Sequence, residues 1–565
     1  MNTRLVNFFI FLLGLIPVLF FIVYVGKYTI NIPFLDDSLY YTECLLDVNK
    51  SKSLSEAFWI FMKQHTITEH RTPISKFVAW LIYKTTGSLN YTILAHLGNL
   101  FLGGMLWLFW RFFKKHNWNL VYFLPIPFLI FQMQTFENQF WTICNWTYYP
   151  IGFLQMLVLY YLSYQQKHNL RYAILFAVLA TFTFSNGMFV FLPALLVLLF
   201  QKRYKETGIF MGVGIACVAL YFSTYKPSPI APHQFSLTNL VKNFVVLLGD
   251  YADIQDYHYW AYLICSIVGV ALVAACLYSC FLLVCSYFNI TIKGITQKTS
   301  QSLADITFLS SSMICLILSG AAVAYSRYTG INGFEEMFSS RYKFISVTLL
   351  CLSYLFVLVV TNKSAKRVIA GLFIPLCMVL YGYSYYWNHE GNVNFRERLT
   401  TGVFNFQEHQ SFTLYPVDND WTRMVDEITI AAIKTGVYQL PSTLTTPLHE
   451  VIQQADTTLK ASIPLTVEDK DYYYLLQNDN FETGNPLETA TNLILKSDKD
   501  TYLLPIRRRR NRGKKDMLFH QNYFEKGFSV EILKNTFHPA TYSLGLLSSQ
   551  HGKTTIQFIQ KIRIQ

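Results

Sequence analysis

Eleven apolar stretches, near residues 6–26, 92–112, 119–133, 147–164, 171–184, 187–200, 208–223, 260–285, 304–325, 344–361 and 367–386, constrain this chain more than any other feature. A backbone that enters hydrocarbon must satisfy its own N–H and C=O groups, so runs of this length predict membrane-spanning helices. Composition agrees: 52% of residues are hydrophobic and only 14% charged, against about a quarter charged in a soluble domain. The expected fold class is therefore an α-helical polytopic membrane protein of about eleven helices. The first run follows Arg4 and has no small-residue cleavage site before Lys27, which predicts a retained helix rather than a cleaved signal peptide.

Lysine and arginine set the expected orientation. Arg111, Lys114 and Lys115, then Lys167 and Arg171, Lys202, Arg203 and Lys205, Lys293 and Lys298, and Lys363, Lys366 and Arg367 fall on every second connection. By the positive-inside bias these connections and the N-terminus are cytoplasmic. The Asp36 loop and residues 134–146, 185–187, 223–259 and 325–343 then lie outside. An odd helix count exports the tail as well, and the expected localisation is a plasma membrane. The chain divides on this reading into a transmembrane domain, 1–387, and a C-terminal extracytoplasmic domain, 388–565.

In the tail, Asn419-Asp420 should cap a helix from Trp421 to Thr435 that Gly436 stops. Residues 491–496 and 501–506 flank a hairpin turn, and 528–533, 540–547 and 554–564 alternate as half-buried strands do. A small β-sandwich-like domain with some helix is expected. Arg507 to Arg510, Arg512, Lys514 and Lys515 read as a solvated hairpin tip, or as a contact for an anionic glycan or lipid headgroup; outside a membrane, nucleic acid is not an expected partner. Cys44 and Cys144 are the two cysteines placed in loops, where an oxidising compartment would permit pairing. No Walker loop, dinucleotide glycine fingerprint or His-Glu-x-x-His occurs, which argues against nucleotide-driven transport, a nucleotide-sugar donor and a zincin.

The outside loops carry the costly polar residues. Asp36-Asp37 follows the first helix, Leu54 to Met62 is apolar enough to lie in the interface, and Glu69-His70-Arg71 precedes the return to the membrane. Residues 134–146 interleave Glu137, Asn138, Gln139 and Asn145 with Phe136, Phe140, Trp141 and Trp146, which suits either a sugar-binding wall or an interfacial belt. Ser185-Asn186-Gly187 predicts a tight turn, with Asn186 a turn residue or a ligand contact. Arg327 ends one helix and Arg341-Tyr342 opens the next, against the positive-inside bias; the pair could clamp a phosphate or anchor the boundary. Residues 237–249 could form an interfacial lid or lipid gate.

An acidic pair in the first extracytoplasmic loop, an interfacial helix and a Glu-His-Arg-x-Pro element resemble the first loop of the polytopic GT-C glycosyltransferases of bacterial type, and the Ser-Arg-Tyr segment at 340–342 is similar to a late loop of some of them. The resemblance implies a GT-C-like membrane domain and a polyprenyl-phosphate sugar donor. The sugar would pass to a cell-envelope glycan, lipid or protein acceptor, with membrane lipids as surroundings. Asp36 would be the catalytic base and Asp37 its support. Glu69 and His70 would hold acceptor, donor or a metal, and Arg71, Arg327 and Arg341 the phosphate. Glu137, Asn138, Asn186 and Tyr342 would complete the substrate-binding set. No cofactor is required, although Asp37, Glu69 and His70 leave room for a divalent ion. A flippase for lipid-linked glycans and a glycan polymerase or ligase are the alternatives.

Overall fold

The computed structural model describes residues 3–64, 70–164, 169–226, 236–253, 259–290, 303–327, 335–413, 420–441, 446–455, 458, 463–483, 491–513, 523–550 and 553–564. Each of the eleven apolar runs is helical. Among the described residues seven helices are long and apolar enough to cross a membrane: Thr3–Tyr28, Tyr91–Lys115, Tyr204–Phe222, Tyr259–Tyr287, Leu303–Arg327, Lys343–Val360 and Lys363–His409. The other expected spans fall short of that measure. Leu120–Phe123 and Pro125–Ile130 are separate short turns, Asn169–Thr183 has 15 residues, and Phe191–Phe200 has 10. Thr142–Ser163 has the length but carries Asn145, Thr147 and Gln155, all buried, which dilute its apolarity.

The chain forms two compact units. One comprises residues 1–27, 50–79 and 93–387, the other 28–49, 80–92 and 388–565. The division after Trp387 coincides with the expected boundary, but the segment bearing Asp36-Asp37 belongs to the second unit rather than to the membrane domain.

In the first unit, Leu303–Arg327 and Lys343–Val360 are buried through most of their length, whereas Thr3–Tyr28 turns Phe8, Phe9, Phe11 and Leu19 outward. Such outward apolar residues need lipid rather than water around them. Leu237–Gly249 does not form a loose lid. Cβ atoms added at Gly249 and Gly269 would each stand 1.9 Å from a backbone carbonyl oxygen of the opposite helix, Cys265 and Val245 respectively, so this helix packs backbone to backbone on Tyr259–Tyr287. Leu54–Met62 forms as expected. Ser53 caps it by accepting from Glu56 N at 3.1 Å, and Phe58 and Trp59 stand outward.

The second unit contains two sheets: β1 (Thr466–Asp469), β2 (Tyr473–Asn478) and β5 (Phe528–Leu533) in the order β1-β2-β5, and β3 (Thr491–Lys496), β4 (Thr501–Pro505), β6 (Ala540–Gln550) and β7 (Lys553–Ile564) in the order β4-β3-β6-β7. All pairings are antiparallel. Leu476, Val530 and Ile532 of one sheet share a core with Leu493, Leu495, Leu544 and Leu546 of the other, which is the packing of a sandwich. β1 and β2 had no counterpart in the sequence reading. The helix expected from Trp421 is Asp420–Lys434, with Gly436 at φ 73 ending it; Asn419 lies outside the described residues. Lys363–His409 runs for 47 residues, about 70 Å at 1.5 Å per residue, against roughly 30 Å of hydrocarbon. Residues 363–387 of this helix belong to the first unit and 388–409 to the second. Cys44 and Cys144 are both buried, Cys44 in the second unit and Cys144 in the first, and the structure forms no disulfide among the described residues.

Candidate functional site

In the second unit the acidic pair lies on a strained turn. Leu35 has φ 47, in the left-handed region that a bulky residue rarely adopts, and Asp37 N closes the turn on Phe34 O at 3.0 Å. Asp37 is 1% exposed and its Oδ2 accepts from Phe34 N at 3.1 Å, which helps to shape the turn. Asp36 remains partly exposed. A single π-helical turn, Ser38–Thr42, follows at once, an element that recurs at functional positions. Tyrosines far off in sequence fix this segment. Tyr91 N donates to Asn31 Oδ1 at 2.8 Å, Tyr91 OH shares a 2.5 Å bond with Thr42 Oγ1, and Tyr438 OH donates to Asn31 O at 2.8 Å.

The cationic residues gather in the first unit. Arg71 is fully buried; its backbone N donates to Tyr221 OH at 3.2 Å and its Nη2 to Thr224 Oγ1 at 2.8 Å. Its Nε and Nη1 have no acceptor. Beside it, His70 lies partly buried against the Phe184 ring, 4.3 Å between centroids. Burial, with the charge of Arg327 as the lesser cause, lowers its pKa to about 4. His70 is thus a neutral imidazole at pH 7. Glu69 lies outside the described residues.

Arg327 and Arg341 are linked through carboxylates. Arg327 Nε lies 3.6 Å and Arg341 Nη2 3.9 Å from Glu336 Oε2, while Arg341 Nη1 is 3.8 Å from Glu137 Oε1. These separations exceed a hydrogen bond, so both guanidiniums keep donors to offer. Glu137 Oε2 is committed elsewhere: it accepts from Ser339 Oγ at 2.9 Å, Ser340 Oγ at 2.7 Å and Arg341 N at 3.1 Å. Tyr342 and Trp141 present their rings to the Arg341 guanidinium at 5.1 and 5.8 Å. Tyr342 is 2% exposed, and its ring packs against the Arg341 guanidinium.

The amides of residues 134–146 are neither a wall nor a belt. Asn138, Gln139 and Asn145 are fully buried. Asn138 Nδ2 donates to Arg341 O at 3.0 Å, Asn145 Nδ2 to Asn138 O at 2.7 Å, and Gln139 Nε2 to Thr135 Oγ1 at 2.9 Å. Phe136–Phe140 is a helix of only five residues between non-helical Thr135 and Trp141, and the backbone groups left open at its ends must be satisfied from within. Asn138 therefore holds the Arg341 turn through its Nδ2. Asn186 is engaged through its carbonyl, which accepts from Gln155 Nε2 at 2.7 Å. Gly187 is obligatory, since a Cβ there would meet Ala180 O at 1.9 Å.

Known protein-family models, curated proteins and solved structures offer no match to this chain. Chemistry must therefore be argued from the side chains alone. Among the described residues no group of three His, Cys, Asp or Glu could hold a metal ion. Of the three metal candidates, Asp37 is spent on its own turn, and it belongs to a different unit from His70. Glu336, Ser339, Tyr221 and Thr224 were missed by sequence reasoning; only Glu336 had a signal, as an acid between two arginines in one loop. The basic run is also corrected. Arg508 is fully buried and ion-paired with Glu397, whereas Arg507 is 65% exposed, so the run is no uniform solvated tip; Lys514 and Lys515 lie outside the described residues.

Proposed function

We propose that the protein is an integral-membrane glycosyltransferase that takes a sugar from a polyprenyl-phosphate donor and passes it to an extracytoplasmic glycan, lipid or protein acceptor. Arg71 carries this reading. A buried, permanently charged guanidinium with two unsatisfied donors and, among the described residues, no ion-paired carboxylate is expensive unless an anion joins it. A phosphate offers paired oxygens that match the planar fork. Arg327 and Arg341 add two loosely held cations to the same unit, and together the three outnumber the carboxylates Glu137 and Glu336. Positive charge of this kind stabilises a departing phosphate.

Sugar transfer also needs a base for the acceptor hydroxyl. Asp36 has the chemistry for it, being partly exposed on a strained turn, and the resemblance of the first loop supports that role. The test is turnover and donor binding measured separately, in membranes supplied with a polyprenyl-phosphate sugar. Asp36→Asn should lower turnover by about a hundred- to ten-thousand-fold and leave donor binding intact. Arg71→Ala should weaken donor binding itself. Wild-type turnover in Asp36→Asn removes the assigned base; unchanged binding in Arg71→Ala removes the phosphate site.

One observation favours a flippase as the second reading. Asp253 and Lys343, both buried, pair at 2.7 Å beside the fully buried Asp250, and buried charge within a membrane unit often marks a transport path. Movement of a fluorescent lipid-linked sugar across liposomes without any transfer product would favour it.

A further inference from the structure

The first unit carries a groove of about 270 Å³ that is lined neither by the three arginines nor by the buried Asp253–Lys343 pair. Phe11 and Gly14 of Thr3–Tyr28 form one wall, Gly103, Trp107 and Trp110 of Tyr91–Lys115 the other, and Leu124 and Pro127 join them. No charged, amide or hydroxyl side chain lines it. Two glycines make the space. A Cβ at Gly103 would meet nothing within 4 Å, and one at Gly14 would come only to 3.6 Å from Leu124 Cδ2. Phe11 is 53% and Trp107 44% exposed, so the groove opens outward, on an apolar face that needs lipid rather than water around it.

One end of this groove is charged. Trp118 packs on Phe113 at 5.6 Å between ring centroids and Phe123 on Trp110 at 5.2 Å, so the connecting segment runs back along Tyr91–Lys115. The same segment meets Thr3–Tyr28 in forward order, with Leu124 at Gly14 and then Phe131 on Phe21 at 5.4 Å. The two helices are therefore antiparallel, and the basic C-terminus of Tyr91–Lys115 lies towards the N-terminal end of Thr3–Tyr28. Gly103, Trp107, Trp110 and Lys114 follow one another at helical spacings of four, three and four, which puts them on one face, and Arg111 stands one turn after Trp107. From Gly103 to Lys114 the rise is about 16 Å at 1.5 Å per residue. The Arg111 guanidinium lies 5.3 Å from the Trp107 ring and bonds the Tyr160 phenol, so its partners carry no charge. Lys114 is exposed. Among the described residues neither cation has a carboxylate partner, whereas the adjacent Lys115 is committed to Asp305 at 2.9 Å.

We propose that this groove binds an anionic diacyl phospholipid of the surrounding bilayer, with one acyl chain laid along Gly103 and Gly14 and the phosphate held by Arg111 and Lys114. An apolar channel that ends in two uncompensated cations matches a molecule whose chain is apolar and whose head is an anion. A zwitterionic phospholipid fits the same channel but brings its own cation to Arg111 and Lys114, and so gains less from them. The site does not rest on the transferase reading, since it uses none of Asp36, Arg71, Arg327 and Arg341.

Tryptophan quenching tests it, because Trp107 and Trp110 line the groove and a brominated acyl chain quenches on contact. The full chain is reconstituted in phosphatidylcholine vesicles, and brominated phosphatidylglycerol or brominated phosphatidylcholine is added. The quenching that Trp107→Phe/Trp110→Phe abolishes belongs to the groove. Phosphatidylglycerol should reach half of it at a mole fraction about fivefold or more below that of phosphatidylcholine, as one or two basic side chains near a headgroup imply. Arg111→Gln/Lys114→Gln should bring the two lipids together. Gly103→Leu, which fills the open space, should lower groove quenching by both lipids several-fold and leave thermal stability unchanged; if it does not fold, the charge variant decides alone. Equal quenching by the two lipids in the wild type, a preference that survives the charge variant, or full groove quenching in a folded Gly103→Leu protein overturns the proposal. Displacement of brominated phosphatidylglycerol by polyprenyl phosphate at equal or lower mole fraction also overturns it, and makes the groove a donor site.

Discussion

Arg71 and His70 are neighbours with opposite needs. Arg71 cannot discharge itself, so its two open donors are a standing cost in the ligand-free protein. Arg71→Met, which keeps an apolar side chain against Tyr221, should leave thermal stability without donor unchanged or raise it by up to about 1–4 kcal/mol. A loss of several kcal/mol in detergent would make Arg71 a structural cation. His70 answers burial by staying neutral. Its folded pKa of about 4 lies below the 6.5 of an unperturbed histidine, so the unfolded chain takes up the proton first as pH falls. The contribution of His70 to stability is complete above pH 6.5 and is lost between 6.5 and 4. Thermal unfolding recorded across that window should show a slope that His70→Gln flattens; an unchanged slope would assign it to other groups.

Elements here are joined by contacts that tolerate no added atom and no lost amide. The 3-10 turn Ser185–Val190 approaches the Asn169–Thr183 helix so closely that Gly187→Ala must shift backbone against backbone. We expect it to cost about 2 kcal/mol or more in thermal unfolding and to disturb the Phe184 face on which His70 rests. Wild-type stability would show that the turn can retreat. In the second unit, Asn405→Ala leaves the buried Leu503 N and O without their side-chain partner and should cost about 2–4 kcal/mol. Asn405→Asp preserves the acceptor alone and should recover part of that loss. Equal stability of all three proteins would mean that β4 finds another partner.

For the whole molecule, the expectation to be tested is that residues 388–565 lie outside the cytoplasm. Tyr472 is 80% exposed, and nine of the ten native cysteines are buried, so Tyr472→Cys gives a clean reporter. A maleimide that cannot cross the membrane should label it in intact spheroplasts. Labelling only after lysis would place the tail inside and overturn the orientation drawn from lysine and arginine. It would do so without touching the fold of either unit, because seven helices and two sheets are compatible with both orientations.

Local chemistry was legible in the sequence. Apolar length predicts the helices, alternation predicts β3 to β7 and Gly436 predicts a helix end, although Lys363–His409 runs far past the expected end at 386. β1 and β2 escaped because Thr466–Asp469 and Tyr473–Asn478 do not alternate cleanly and draw their order from pairing with each other and with β5. The placing of polar residues was not legible at all. Glu137, Asn138 and Asp37 look like ligand contacts in a one-dimensional chain, yet each meets backbone donors or carbonyls supplied by a distant or bent segment. Arg508 sits in a run of like charges and is buried because Glu397, more than a hundred residues away, neutralises it. A side chain's type states what it can bond to, and burial and partners decide whether that capacity is spent inside the protein or kept for a ligand. Arg71 is the contrasting case, since among the described residues its buried guanidinium keeps two donors without an acceptor.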